Sequence, residues 1–180
     1  DPDYLQSLQD PAGPGERVRQ VLSDSSDEAA LMQALRTLRR REMLRIAWRD
    51  LAGWASLEQT LHDLSGLADA CIDASLAVLS RWHAERHGIA RDARGEAQSL
   101  VVLGMGKLGA HELNFSSDID LIFTYPENGR SDGERPLDNE EYFTRLGQRL
   151  IRVLDQVTED GFVFRVDMRL RPFGEAGPLA

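Results

Sequence analysis

The sequence predicts an α+β fold in which a helical region precedes a set of strands with flanking helices. Over roughly the first 90 residues, apolar side chains recur at spacings of three and four, which is typical of helices packed on one face. Beyond residue 98 the pattern changes to short apolar runs separated by glycine and aspartate turns, which is typical of strands. The 180-residue chain, 42% apolar and 28% charged, is long enough for such a globular unit.

Charge and composition exclude several classes of partner. The chain carries 30 acidic and 21 basic side chains, a net charge of −9, whereas binding to nucleic acid backbones needs a basic footprint. No apolar run reaches membrane-spanning length, and no signal-peptide pattern is visible. The single cysteine, Cys71, excludes an intrachain disulfide framework. We therefore expect a cytoplasmic protein without nucleic-acid or membrane partners.

The first helix is predicted to follow a loop. Residues 1–25 are rich in proline, glycine and serine, so we expect a flexible segment there. Asp27 can cap a helix over 28–49. Six arginines make this helix strongly basic, which indicates either a solvated face with internal ion pairs or a docking surface for an acidic partner.

The second helix has clear start and stop signals. Ser56 and Gln59 have capping-box spacing, and Gly88 ends an apolar pattern that runs to about His87. The helical region as a whole is predicted to span 26–90. His83 and His87 are spaced as one helical turn, but no further ligand accompanies them, so a zinc site is not supported.

The second half alternates strands, turns and helices. Its pattern predicts a polar connector at 88–98, a buried strand at 100–103, a turn with a short helix at 105–117 and a strand at 118–125. A loop at 126–137, expected to be the most mobile segment, follows. A helix then starts at Asp138 and runs to about Val157, and the last element is a strand at 162–171. That last strand alternates strictly: Phe162, Phe164, Val166, Met168 and Leu170 on one face, and Val163, Arg165, Asp167, Arg169 and Arg171 on the other.

Three aspartates are candidates for metal-assisted chemistry. Asp118 and Asp120 stand two apart on a predicted strand, so both carboxylates project to one face. Adjacent carboxylates repel each other unless a cation lies between them, and Mg²⁺ prefers oxygen ligands of this kind. Asp167 completes the cluster if its strand pairs beside theirs. Such a set can stabilise attacking and leaving oxygens in a phosphoryl transfer.

A glycine-rich turn precedes these carboxylates. Gly104-Met-Gly-Lys-Leu-Gly109 contains Gly106, where backbone amides can approach phosphate oxygens, and Lys107, the only lysine of the chain. Lysine supplies a compact positive charge for phosphate.

These motifs resemble the nucleotidyltransferase superfamily that includes polymerase beta. Gly106 and Asp118 are separated by eleven residues, which is similar to the Gly-x11-Asp-x-Asp signature of that superfamily. The segments 104–109, 112–123 and 166–179 more closely resemble the glutamine synthetase adenylyltransferase family. This resemblance implies a nucleotidyltransferase core with a mixed sheet and flanking helices over 99–180, truncated at its C-terminal end.

The resemblance also implies a reaction and roles for the residues. Asn114, Phe115, Phe173 and Glu175 are similar to the half of the family that removes AMP from adenylylated glutamine synthetase by phosphorolysis, with inorganic phosphate consumed and ADP released. The implied roles are metal binding and catalysis for Asp118, Asp120 and Asp167, with Mg²⁺ or Mn²⁺, and phosphate or nucleotide contact for Gly106, Lys107, Gly109, Ser116, Ser117, Arg169 and Arg171.

Two alternatives remain open at this stage. The adenylylating half of the family forms the AMP–tyrosine bond from ATP instead of breaking it. A non-catalytic module binding a PII-type signal protein is the other alternative, although a purely binding domain has no need of clustered carboxylates.

Overall fold

The protein is described here by a computed structural model that covers residues 18–22 and 25–168. The elements are α1 (Glu28–Leu51), α2 (Leu57–His87), β1 (Ala90–Asp92), β2 (Val101–Met105), α3 (Gly106–Gly109), β3 (Ile119–Thr124), β4 (Gly129–Ser131), α4 (Asn139–Asp155) and β5 (Val166–Asp167). This mixture of helices and small sheets is compatible with the predicted α+β class. Most of the predicted 1–25 loop lies outside the described residues, but 18–22 are helical, with Val18 and Leu22 buried.

The helix boundaries follow the predicted capping signals. The Asp27 carboxylate accepts a hydrogen bond from the Ala30 amide at the start of α1. At α2, Ser56 and Gln59 form the full reciprocal capping box, and Gly88 ends the helix with a φ of 79°. Because caps depend on neighbours within one turn, local sequence was sufficient to place them.

The arginines of α1 fall into two groups, and the predicted solvated face with internal ion pairs describes only part of that helix. Arg40 and Arg41 are exposed, whereas Arg36, Arg45 and Arg49 are buried. Arg45 pairs with Glu42 at 2.8 Å and Arg49 with Asp63 of α2 at 2.6 Å. These arginines hold the helices together inside the chain.

A three-residue strand lies within the predicted connector at 88–98, and another lies within the predicted loop at 126–137. β1 and β4 form an antiparallel two-stranded sheet, with Ala90 opposite Ser131 and Asp92 opposite Gly129. Asn139, at the start of α4, donates from Nδ2 to the carbonyl oxygens of Arg91 and Glu127 at 3.1 and 3.0 Å. Three-residue strands with polar side chains carry no alternation, so their pattern was not visible in the sequence.

A three-stranded mixed sheet, in the order β2-β3-β5, carries the candidate site. β3 pairs antiparallel with β2 and parallel with β5. One face is buried: Ile119, Leu121 and Phe123 alternate inward along β3, and Gly147 of α4 lies against the Phe123 ring. The other face is open.

The predictions for the two outer strands need correction. Residues 100–103 were expected to be a buried strand, but β2 is an edge strand whose Val101, Leu103 and Met105 are 37–44% exposed. The alternating strand at 162–171 is also wrong within the described residues. Only Val166–Asp167 is a strand. The amides of Val163 and Phe164 donate to the Leu154 carbonyl at the end of α4, and not to a neighbouring strand. The side chains of these two consecutive residues are both buried, so they do not alternate between two faces.

α2 and α4 pack together around His83, which is 3% exposed. Its ring lies 4.8 Å from the His87 ring and 4.3 Å from the Tyr142 ring. Burial, followed by the charges of His87, Arg149 and Arg145, lowers the pKa of His83 from 6.5 to about 4. His83 is therefore neutral in the folded protein at neutral pH.

We expect stability to fall in acid because of His83. Between pH 6.5 and about 4 the unfolded chain binds a proton that the folded protein does not, so stability is lost as pH falls across this window. The loss is up to about 3 kcal/mol. Urea unfolding at several pH values checks this. His83→Phe should flatten the pH dependence, whereas His62→Phe, at an exposed position, should not. Equal slopes in the wild type and His83→Phe would contradict it.

Within the described residues, no helix is long and apolar enough to cross a membrane.

Candidate active site

The open face of the three-stranded sheet brings two of the three predicted aspartates together. β5 pairs beside β3, which is the condition for Asp167 to join the other two, and Asp120 and Asp167 are direct partners in the parallel register. Asp118 stands immediately before β3, two residues from Asp120 along the chain. All three carboxylates therefore belong to one edge of the sheet.

Arg165 is a site residue that the sequence analysis did not single out. Its Nε donates to Asp118 Oδ1 at 2.5 Å, and its Nη2 donates to the Ser116 carbonyl at 3.1 Å. Arg165 precedes Asp167 by two residues, so alternation already placed the two side chains on one face. The signal was present in the sequence, but it could be used only once the β3–β5 pairing was known.

The three carboxylates are the right type of ligand for a divalent cation, but their side chains are only partly arranged to bind one. Oxygen donors from three aspartates at one sheet edge are the type of ligand that Mg²⁺ and Mn²⁺ take. Within residues 18–22 and 25–168, however, no three acidic, histidine or cysteine side chains form a group able to hold a metal. Asp118 Oδ1 is engaged by Arg165 instead, so in this arrangement the positive charge beside Asp118 is a guanidinium.

The glycine turn is fitted closely against these groups. Gly106 has a φ of +53°, and a Cβ built on it would lie 2.7 Å from Asp120 Oδ2. A Cβ on Gly109 would lie 2.5 Å from the Gly104 carbonyl oxygen. The turn therefore needs glycine both to reach its backbone conformation and to let α3 approach β2 and Asp120.

Lys107 and the two serines form a small polar network beside the carboxylates. Lys107 Nζ lies 3.4 Å from Ser117 Oγ. Asn114 Oδ1 accepts hydrogen bonds from Ser117 Oγ at 2.8 Å and from the Ser116 amide at 3.2 Å. Asn114, which sequence analysis used only to compare family members, is the residue that orders this loop. The Leu113 amide anchors the loop to α2 by donating to Ser65 Oγ at 3.1 Å.

Apolar side chains border the carboxylates on the open face. Met105 of β2 lies directly opposite Asp120, and Leu103 lies opposite Ile122. Because facing residues of paired strands share a face, exposed Met105, Leu103 and Val101 extend the Asp120 face as an apolar surface. Charged and apolar groups thus lie side by side, an arrangement suited to a ligand with both a phosphate and an aromatic part. Arg169 and Arg171, the remaining predicted contacts, lie outside the described residues.

We expect Gly106→Ala to impair the site beyond its effect on stability. Alanine at positive φ costs about 1 kcal/mol, and Gly53→Ala provides a matched control. Gly53 has a φ of +69° but no atom within 4 Å of a built Cβ, so it adds only the backbone cost. Both variants should melt at lower temperature. Only Gly106→Ala should also lose activity, by about tenfold to a hundredfold, through displacement of Asp120. Equal activity in the two variants would show that the Gly106–Asp120 contact is dispensable.

Comparison with known proteins connects this geometry to one family. The family model described as GlnE, glutamate-ammonia ligase adenylyltransferase, matches residues 1–180. Three similar proteins are each named bifunctional glutamine synthetase adenylyltransferase/adenylyl-removing enzyme. They are from Thioalkalivibrio sulfidiphilus (64% identical over 91% of this chain and 17% of the relative), Nitrosococcus oceani (60%, over 89% and 17%) and Pseudomonas aeruginosa (58%, over 96% and 18%).

The chain spans less than a fifth of the length of these curated relatives. The family model nevertheless matches the entire chain, residues 1–180. The chain therefore belongs to the GlnE, or glutamate-ammonia ligase adenylyltransferase, family.

Proposed function

We propose that this chain removes AMP from an adenylylated tyrosine of glutamine synthetase by metal-dependent phosphorolysis. The observation that supports this best is the direct pairing of Asp120 with Asp167 on neighbouring strands, beside the Gly106 turn. Paired carboxylates next to a phosphate-approaching turn suit phosphoryl transfer, and the names of the relatives supply the protein substrate.

In this reaction an oxygen of inorganic phosphate attacks the phosphorus of the AMP group, and the bond from phosphorus to the tyrosine oxygen breaks. The products are ADP and a phenolate that takes up a proton. Because a phenol has a pKa of about 10, it is a fair leaving group and needs no strong general acid.

Asp118, Asp120 and Asp167 would hold the cation, Mg²⁺ or Mn²⁺, which supplies charge stabilisation at the transferred phosphoryl group. Lys107 and Ser117, 3.4 Å apart, would contact phosphate oxygens, with Ser116 and the Gly106–Gly109 backbone nearby. Arg165, released from Asp118, would add a bidentate donor for phosphate. The apolar surface of Met105 and Leu103 suits the adenine or the tyrosine ring.

The direction of the reaction rests on Asn114, Phe115, Phe173 and Glu175, which resemble the AMP-removing half of the family. Asn114 accepts hydrogen bonds from Ser116 and Ser117, so one of the residues that resemble the AMP-removing half lies next to the proposed phosphate-binding groups. A PII-type signal protein is the expected regulatory partner.

Supplying phosphate or ATP separately tests the proposed direction. With adenylylated glutamine synthetase and Mg²⁺, phosphate should support loss of AMP from the protein, while unmodified glutamine synthetase with ATP should gain none. Addition of AMP from ATP would instead assign the adenylylating reaction. Turnover in neither arm, with a PII-type protein still bound, would favour a regulatory module.

A further inference from the structure

A second polar site lies between α2 and α4, away from the carboxylates. It is a cleft of about 590 Å³, within the usual size range of small-molecule sites. Its lining includes four arginines, Arg86, Arg145, Arg149 and Arg152, and a single acidic residue, Glu28. In a chain with a net charge of −9, this concentration of positive charge is local and unusual.

The arginines face one another across the cleft. Arg145, Arg149 and Arg152 follow spacings of four and three on α4, so they share one helical face. Arg86 comes from the last turn of α2 on the opposite side. Its position also complements the helix dipole of α2, but the dipole does not account for the three arginines that face it.

The acidic partners leave part of this charge uncompensated. Glu28 pairs with both Arg149, at 3.2 Å, and Arg152, and so holds these two side chains in place. Arg145 pairs with Glu141 at 2.5 Å at an exposed position. Within the described residues, Arg86 makes no ion pair. Two pre-positioned arginines and one unpaired arginine suit a ligand with several negative charges.

The floor and wall of the cleft provide two further features. His83 is buried beneath it, and its Nε2 atom has no hydrogen-bond partner among the described residues. Trp82, half-buried, stands one helical turn before Arg86 on the same face of α2. An indole beside a group of arginines can stack a flat base while the arginines hold phosphates.

We propose that this cleft binds a nucleoside polyphosphate at a site separate from the proposed active site. The phosphates lie among Arg86, Arg145 and Arg149, and the base lies against Trp82. The cleft shares no residue with the carboxylate site, and α4 packs on the opposite, buried face of the sheet. Nucleotide bound in this cleft would therefore be additional to the substrate of the proposed active site.

Binding can be tested without the metal or the reaction. ADP, pyrophosphate and inorganic phosphate are titrated separately into the full chain in EDTA, with tryptophan fluorescence and calorimetry as readouts. ADP should bind most tightly, pyrophosphate next and phosphate weakest. Arg86→Ala and Arg145→Ala, both at exposed positions, should each weaken ADP binding about tenfold while leaving the melting temperature near that of the wild type. Trp82→Leu should weaken binding of ADP but not of pyrophosphate.

Two controls separate this proposal from the proposed function. Asp118→Asn with Asp120→Asn should leave ADP binding in EDTA unchanged, so loss of binding there would assign the nucleotide to the carboxylate site and overturn the proposal. Bound ADP should also raise the low pKa of His83, measured by NMR, because it neutralises Arg145 and Arg149 nearby. Absence of saturable ADP binding, or ADP binding that is unchanged in both arginine variants, would each overturn it.

Discussion

Replacing Asp118 and Asp120 together with asparagine is expected to abolish AMP removal while the fold persists. Asparagine keeps the size of each side chain but removes the charge that a divalent cation requires. The loss should reach about a thousandfold or more, because metal stabilisation of a transferred phosphoryl group is worth several kcal/mol and each 1.4 kcal/mol is about tenfold.

Stability should hardly change in this double variant. Asp118 is exposed and its pair with Arg165 is a surface ion pair, worth about 1 kcal/mol or less. Removal of one carboxylate beside Asp167 also relieves repulsion across the β3–β5 register. Calorimetry and a phosphorolysis assay on the same samples separate the two effects. Asp73→Asn, an exposed change on α2, serves as the matched control. Phosphorolysis retained in the double variant would contradict the proposed role of these residues.

Arg36→Met is expected to have the largest effect on folding. Arg36 is 1% exposed and donates to the carbonyl oxygens of Met32 at 2.9 Å, Gly161 at 2.8 Å, Val153 at 3.2 Å and Gln156. Three of these acceptors lie at or beyond the C-terminal end of α4, where helix carbonyls lack intrahelical partners. Methionine keeps the aliphatic stem but removes the side-chain donor from all four carbonyl oxygens, including the buried contact to Val153 in the last turn of α4. We expect a loss of about 3–5 kcal/mol.

Arg40→Met is the matched control for Arg36→Met. Arg40 lies one turn further along α1, with its side chain 64% exposed, and pairs with Asp160 at 2.9 Å. Its replacement should cost less than about 1 kcal/mol. Urea unfolding of both variants checks this comparison. Similar losses in the two would show that the buried contacts of Arg36 contribute no more than a surface ion pair.

Much of the fold could be predicted because its signals are local. Caps at Asp27 and Ser56 and the stop at Gly88 depend on residues within a single turn, and all three are confirmed. The role of Arg36 could not be predicted, because three of its four partners lie 117 to 125 residues away along the chain. A buried arginine and a solvated one look the same in a helical pattern.

The alternating pattern at 162–171 predicted a longer strand than the structure contains, and the reason is physical. A segment with alternating side chains forms a strand only if its backbone makes hydrogen bonds to a neighbouring strand. The amides of Val163 and Phe164 instead donate hydrogen bonds to the carbonyl oxygen of Leu154. The same pattern still placed Arg165 and Asp167 on one face, where Arg165 reaches Asp118. The three aspartates could therefore be named as candidates from the sequence, whereas the ion pair that engages one of them required the structure.

The central claim, phosphorolysis at the carboxylate edge of the sheet, is tested most directly with inorganic phosphate labelled with ¹⁸O. The chain is incubated with adenylylated glutamine synthetase, Mg²⁺ and labelled phosphate, and the nucleotide product is analysed by mass spectrometry. We predict ADP that carries the label in its β-phosphoryl group and in the oxygen that bridges to the α-phosphorus, in amounts equal to the AMP lost from tyrosine. Release of unlabelled AMP, or AMP loss without labelled ADP, would contradict the proposal.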